Sequence, residues 1–507
     1  MTPPFPNSYW LEPGRILCGE YPRDFDDLGE HGGMTAILQA GVRVFLDLTE
    51  EGELKPYRDI ALATATSLGI DPGELTFLRH PIRDVSVPRR TQEMRDILRA
   101  IRRERHRGRT LYLHCWGGRG RTGTVAGCVL NELFGHRGDE ALSVLSARWQ
   151  ACAKSASESP ETEEQRHYVR EWNPAATVPA ATVPAAGIRG ALLGAAIGDA
   201  LGVPVEFQGR TARQTDPVMG MRAFGTHHQP AGTWSDDTSM ILATMTGLIE
   251  SGGYDPTAVM HQFGLWLDQA RHTPHGVVFD IGNATRGALT RARSGTPPLE
   301  CGGTSESSNG NGSLMRILPI ALAYADDPDL IVKASEISSL THAHERSRFC
   351  CAFYCLVASE LLHGGSIAEA TTFAWEILDH RWIFSPVERP RFDALHPDRL
   401  FARAEETIRS TGHVIDTLEA ALWVNAQHDD FANAVLHAVN LGDDTDTTGC
   451  VAGGLAGILH GEGAVPAEWV EGLVKREELF DLAERFADFI GRSGSRSGRE
   501  IALDPPR

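Results

Sequence analysis

The chain has 507 residues, 42% of them apolar and 23% charged, with a formal net charge of −19 and nine cysteines. That length exceeds what one hydrophobic core supports and implies about two to four domains. The acidic balance argues against nucleic acid or an anionic membrane as the main partner, and no stretch approaches the roughly 18 uninterrupted apolar residues of a membrane span.

The N-terminus, "MTPPFPNSYWLEPGR", lacks the basic start and apolar run of a secretory signal, and the cysteines form no paired metal-type spacing. Both features lead to the expectation of a cytoplasmic protein with reduced thiols. Short β-rich runs follow, "VRVFLDL" (42–48), "LTFLRHP" (75–81) and "TLYLHC" (110–115), alternating with helical stretches. One of these, "TQEMRDILRAIRRERH" (91–106), is expected to open at a threonine cap. Such an order predicts an α/β domain, a central parallel or mixed sheet with flanking helices.

The strand ending in His114-Cys115 runs through "WGGRGRTG" into the apolar helix "TVAGCVLNELFG". Gly117, Gly118 and Gly120 let backbone N–H groups turn inward, and the positive end of the following helix points the same way, so the loop suits a tetrahedral oxyanion. Arg121 can fork onto two of its oxygens. Cys115 lies at the base of the cradle, where Arg121 and the helix end favour a thiolate able to attack phosphorus. The Thr122 hydroxyl can hydrogen-bond the sulfur. Upstream, "HPIRDVSVP" places Asp84 on a loop from which it can protonate the leaving oxygen.

On these residues, positions 8 to about 170 resemble the cysteine-dependent protein tyrosine and dual-specificity phosphatases. "WLEPGRILCGEYP" resembles the N-terminal segment of small bacterial members. The resemblance implies hydrolysis of a phosphorylated substrate and leaves its class open among proteins, lipids, nucleotides and sugars.

Residues 174–187 contain the repeat "AATVPAATVP", whose regular prolines predict an extended spacer. Beyond it nearly everything reads as Ala/Leu-rich helix broken by glycine loops. Two acidic clusters stand out: "GTWSDDTSM" with Ser235, Asp236 and Asp237, and "NLGDDTDTTG" with Asp443, Asp444, Asp446 and Thr447. Either alone reads as a helix cap. Converging, they would offer hard oxygen ligands to divalent cations, Mg²⁺ or Mn²⁺, two of them by charge. Between them "NGNGSLMR" is a glycine-rich loop opening a helix, suited to phosphate or ribose. "GDALGVPVEF" adds Asp199 and Glu206, and "LTHAH" adds His342 and His344.

These motifs, with "DIGNATRGAL", occur in an order that resembles the ADP-ribosylglycohydrolase family across roughly residues 187–490. The resemblance implies an all-α domain with a two-metal centre that cleaves the bond between ADP-ribose and its acceptor, on a protein or a small molecule. It implies metal ligands at Ser235, Asp236, Asp237, Asp444, Asp446 and Thr447, and a glutamate near the scissile ribose at Glu206. It also implies a substrate loop of Asn311, Gly312, Ser313 and Met315. Two positions depart from the pattern: Asp443 replaces a common glycine, and Glu345 a common proline. Asp280 could meet an arginine acceptor, or simply cap the helix after Gly282. The resulting division is a phosphatase-like domain over 1–173, a spacer over 174–187, a hydrolase domain over 188–490 and a flexible tail over 491–507. A bifunctional hydrolase is expected. The alternatives are a metabolic hydrolase of free ADP-ribosyl compounds, and a chain in which one domain only binds its ligand.

Overall fold

A computed structural model of the chain describes residues 1–22, 32–172 and 183–500. It divides into two compact units, one within residues 1–172 and the other within residues 183–493.

The first unit is built on a five-stranded sheet. Its strands are β1 (Ser8–Glu12), β2 (Ile16–Gly19), β3 (Val42–Asp47), β4 (Thr76–Arg79) and β5 (Thr110–His114), in the order β1-β2-β5-β3-β4. β1 and β2 pair antiparallel and the other neighbours are parallel, so the sheet is mixed. The three sequence-predicted strands all form, each a little shorter than its apolar run. "WLEPGR", which carried no strand prediction, turns between β1 and β2. Side chains alternate between two cores: Val44, Leu46, Leu111 and Leu113 join one, Phe45 and Tyr112 the other. Both faces are covered, which is why these strands read as continuous apolar runs. The helices are α1 (Gly32–Gln39), α2 (Arg58–Ser67), α3 (Thr91–His106), α4 (Gly120–Phe134), α5 (Asp139–Trp149) and α6 (Glu163–Glu171). α3 has the predicted span but not the predicted cap. Arg90 is its N-cap residue, Thr91 is already helical, and Glu93 Oε2 instead accepts the Arg89 N–H at 2.9 Å.

The second unit is helical. Its axis is the antiparallel pair Val183–Gly202 and Thr445–His460, which meet along glycines four residues apart. A Cβ at Gly194 would stand 2.1 Å from the Gly453 carbonyl oxygen, and one at Gly198 would stand 1.9 Å from that of Gly449. Only glycine permits backbones this close. The register brings Gly202 against Asp446, where a Cβ would be 2.3 Å from the Asp446 Cα. It therefore juxtaposes the end of one helix with the acidic start of the other.

Two sequence expectations need correction here. Of the spacer predicted over 174–187, residues 174–182 lie outside the described residues, while positions from Val183 belong to a helix. Pro184 falls in its first turn, where the missing N–H has no partner to lose. The tail expected over 491–507 continues the Arg476–Glu500 helix to residue 500, and 501–507 lie outside the described residues. Ser and Gly each cost such a helix only about 1 kcal/mol or less. One helical stretch, Gly187–Val205, is long and apolar enough to span a membrane by length and composition, with mean hydropathy 1.4, yet 94% of it is buried. Its apolar side chains pack within the unit.

Candidate functional sites

β5 delivers Cys115 to the C-terminal edge of the sheet, and the loop to α4 turns at Gly118, whose φ is +71°. A Cβ there would be 2.4 Å from the Gly19 carbonyl carbon, so β2 supports the loop from below. Lys154 Nζ donates to the Gly117 carbonyl at 3.3 Å and Ser159 Oγ to that of Arg119 at 2.8 Å, fixing its outer side. Cys115, Arg121 and Thr122 are all buried, and the Thr122 hydroxyl makes no hydrogen bond among the described residues. Arg121 is held as a fork. Nη1 and Nη2 donate to Glu53 at 2.8 and 2.6 Å, Nη1 donates to the Ile82 carbonyl at 3.1 Å, and Nη2 pairs with Asp84 at 2.9 Å. The guanidinium holds the Glu53 carboxyl below its usual range. The Asp84 loop is thus tied to the cradle through Arg121, and through Gln165 Nε2 donating to the Ser86 carbonyl at 3.1 Å. Behind the nucleophile, burial lowers the His114 imidazole to about 4, so it is neutral, and its Nε2 lies 2.8 Å from the Tyr57 hydroxyl.

In the second unit the two acidic clusters converge. Ser235 caps the Asp236–Ser251 helix, and Asp199 accepts from the Ser235 N–H at 2.9 Å and from the Thr238 hydroxyl at 2.6 Å. Asp199 thereby fixes the first turn that carries Asp236 and Asp237. Ser235 Oγ donates to Asp237 Oδ2 at 3.1 Å, and Thr447 Oγ1 reaches the same oxygen at 3.4 Å. Asn311 Nδ2 donates to Asp444 Oδ2 at 3.0 Å, bringing the glycine-rich loop to the second cluster. Burial, then repulsion from neighbouring carboxylates, pushes Asp236, Asp237 and Asp446 well above the usual carboxylate range. Asp237 Oδ1, Asp444 Oδ1 and Asp446 Oδ2 are buried with no hydrogen-bond partner among the described residues. Oxygen atoms so placed suit hard divalent cations, which would supply the missing partners and offset the repulsion. Ligand atoms of Glu206, His227, Asp280 and Asp446 also lie within 4.8 Å of one another. Burial raises Glu206 to about 7 against the opposing hydrogen bond from His227.

Residues 182–496 match the family model of ADP-ribosylglycohydrolase. The chain belongs to the ADP-ribosylglycohydrolase family. It is 32% identical over 332 residues to the ADP-ribosylarginine hydrolase Tri1 of Serratia proteamaculans (strain 568), covering 64% of this chain and 86% of that protein. It is 31% identical over 293 residues to the ADP-ribosyl-[dinitrogen reductase] glycohydrolase of Rhodospirillum rubrum, covering 57% and 90%. A solved ADP-ribosylglycohydrolase-related protein complex shares 32% identity with a TM-score of 0.53, covering 61% of this chain and 100% of that one. Residues 6–177 match the DSP-PTPase phosphatase domain of the Swiss Army Knife proteins. The chain is therefore a hydrolase in which an ADP-ribosylglycohydrolase domain follows a phosphatase domain.

Within the ADP-ribosylglycohydrolase domain, the residues of the substrate loop divide. Asn311 joins the acidic centre, and Gly312 packs on His342, where a Cβ would be 2.9 Å from the ring. Ser313 instead accepts from Ser338 Oγ at 2.9 Å inside the core, and the Met315 side chain belongs to the hydrophobic core. His342 is buried and held low, about 3, by burial. His344 caps the Glu345–Leu362 helix. Both departures have local explanations. Asp443 has φ +59°, the left-handed region that glycine fills freely and Asp tolerates, and it is exposed. Glu345 occupies the first helical position, where proline is favoured and an acid also suits the dipole. There its carboxylate accepts from Trp382 Nε1 and the Ser385 N–H. Sequence reasoning did not single out Glu53 or His227. Each lies in a polar loop without a motif, and only folding places it against Arg121 or Glu206.

Proposed function

We propose that the ADP-ribosylglycohydrolase domain is metal-dependent and releases ADP-ribose from a modified arginine, and that the phosphatase domain hydrolyses a phosphate monoester, making the chain bifunctional. The observation that carries the arginine assignment is the position of Asp280. Its carboxylate stands within 4.8 Å of the ligand atoms of Glu206, His227 and Asp446, leaving a second acid beside Glu206 for a cationic acceptor. Relatives named ADP-ribosylarginine hydrolases point the same way.

Ser235, Asp236, Asp237, Asp444, Asp446 and Thr447 would hold Mg²⁺ or Mn²⁺, which when bound supply positive charge that fixes ribose hydroxyls and polarises the ring. Asn311 and Gly312 offer a loop for the substrate beside that centre. Glu206 takes a proton from the attacking water as oxocarbenium character develops at the anomeric carbon. Asp280 pairs with the cationic ribosyl-guanidinium; as the bond from the anomeric carbon to nitrogen breaks, the released guanidine takes up the proton that the water gave to Glu206 and departs as guanidinium.

In the phosphatase domain Cys115 attacks phosphorus, Arg121 forks onto two phosphoryl oxygens, and Asp84 protonates the departing oxygen. The Thr122 hydroxyl, which has no hydrogen-bond partner among the described residues, stabilises the sulfur when the phosphocysteine is hydrolysed.

The test is ADP-ribose release by the full chain from defined arginine, serine and small-molecule conjugates, with Mg²⁺, with Mn²⁺ and with chelator. Metal-dependent release from arginine alone is expected. Release from serine but not arginine would overturn the acceptor assignment, and turnover confined to free small molecules would favour a metabolic role.

A further inference from the structure

The Glu206 carboxylate has one hydrogen-bond partner that no sequence motif announces. His227 Nε2 bonds Glu206 Oε2, while Glu206 Oε1 makes no hydrogen bond with another side chain among the described residues. The loop that carries His227 is fastened to Pro204 and to the Glu206 backbone, and is braced within itself. Gly225, with φ +57°, lies against Pro204 so closely that a Cβ would be 1.8 Å from its carbonyl oxygen. Thr226 Oγ1 donates to the Glu206 carbonyl at 2.7 Å, and Gln229 Nε2 donates to the His227 carbonyl at 3.0 Å. Phe224 and His228, on either side, both hold left-handed backbone at φ +68° and +55°. Strain of this kind in two non-glycine residues persists only where the surroundings over-determine it.

The imidazole is also fixed from its sides. The Phe207 ring centroid lies 6.0 Å from it and the Phe279 centroid 5.6 Å. Phe207 is itself left-handed, at φ +63°, and its N–H donates to the Asp443 carbonyl at 2.7 Å, while the Asp443 N–H donates to the Gln208 carbonyl at 2.9 Å. The segment following Glu206 is therefore laced to the turn that carries Asp444 and Asp446. Two aromatic walls and a strapped loop hold the imidazole on Glu206, its hydrogen-bond partner, with the Asp280 and Asp446 carboxylates also within 4.8 Å.

We propose that His227 is a positioning residue for Glu206: it fixes Oε2 so that Oε1 is the oxygen presented to the attacking water. This rests on the reading of Glu206 as the carboxylate that serves that water. A carboxylate free to rotate would spend most of its time misaimed, and orientation of a reacting group is among the largest contributions available to an enzyme.

The experiment uses the full chain, its wild type and the variants His227→Ala and His227→Gln. It measures kcat and KM for release of ADP-ribose from an ADP-ribosylated arginine peptide, and Mn²⁺ affinity by titration calorimetry. His227→Ala should lower kcat about 10- to 100-fold, with KM and Mn²⁺ affinity unchanged, as loss of an orienting partner does. His227→Gln retains a side-chain N–H that can reach the carboxylate and should recover most of the lost kcat. Three results overturn the proposal: undiminished kcat in His227→Ala, loss of Mn²⁺ affinity in parallel with activity, which would make His227 a ligand, or a Gln variant no better than Ala. A wild-type chain that releases no ADP-ribose overturns the underlying reading and this proposal together. An active wild type with an unaffected His227→Ala overturns this one alone.

Discussion

Thr447 donates its hydroxyl to Asp237 Oδ2 at 3.4 Å across 210 positions of sequence. That hydrogen bond joins two acidic clusters, each of which would serve alone as a helix cap. Asp236, Asp237 and Asp446 are all buried, so without cations the centre carries uncompensated repulsion. Chelation should abolish ADP-ribosyl hydrolysis while leaving the cysteine-based phosphatase active. Asp237→Ala and Asp446→Ala should each lose divalent-ion binding by titration calorimetry. Unchanged binding in both would mean that the clusters are only caps.

Cys115→Ser should still bind a phosphate analogue but lose turnover of an aryl phosphate by on the order of 10³-fold or more, as removal of a nucleophile does. Steady-state kinetics with nitrophenyl phosphate check this, and undiminished turnover would exclude Cys115 as the nucleophile.

The Arg121–Glu53–Asp84 arrangement separates two roles. Glu53→Gln replaces one charge-assisted partner and should lower kcat/KM about 10-fold on every phosphate ester, because Arg121 is less firmly aimed. Asp84→Asn should instead slow alkyl phosphates about 10²-fold or more while sparing nitrophenyl phosphate, whose leaving group needs no proton. A ratio of rates on the two esters that moves equally in both variants would contradict the division.

Gly198→Val would force side-chain atoms into the Gly449 backbone, where even a Cβ would be 1.9 Å from the carbonyl oxygen. The helices must separate or the chain must bend, and overpacking of this kind costs about 3 kcal/mol or more. Thermal melting of the variant should show a lowered midpoint, together with weaker Mn²⁺ binding, because the same register sets Asp446 beside Gly202. An unchanged midpoint would mean that the pair tolerates separation.

His114 is buried neutral, with its titration lowered from 6.5 to about 4. Between these values the unfolded chain binds a proton that the folded chain refuses, so stability falls as pH drops. The loss should be roughly 1.4 kcal/mol per pH unit through that window, present for wild type and absent for His114→Gln. Denaturant melts followed in the phosphatase domain at pH 7 and pH 5 measure it, and equal pH dependence in the two proteins would refute it.

The chemistry was legible in the sequence wherever it lies within one short stretch. The cradle from Cys115 to Thr122 is local, because strand, glycine turn and helix start are consecutive and need no distant partner to be recognised. The same holds for Ser235-Asp236-Asp237 and for Asp444, Asp446 and Thr447 as groups of oxygen ligands. Their convergence was expected only through a family resemblance. What the tertiary structure decided is which distant side chains meet. The glycine register of the Val183–Gly202 and Thr445–His460 helices sets Asp446 beside Gly202, a strained loop sets His227 on Glu206, and the turn after β3 brings Glu53 to Arg121. None of these pairings has a sequence signature, because a lone His or Glu in a polar loop looks the same whether it is solvated or buried against a partner. Only the packed backbone distinguishes the two.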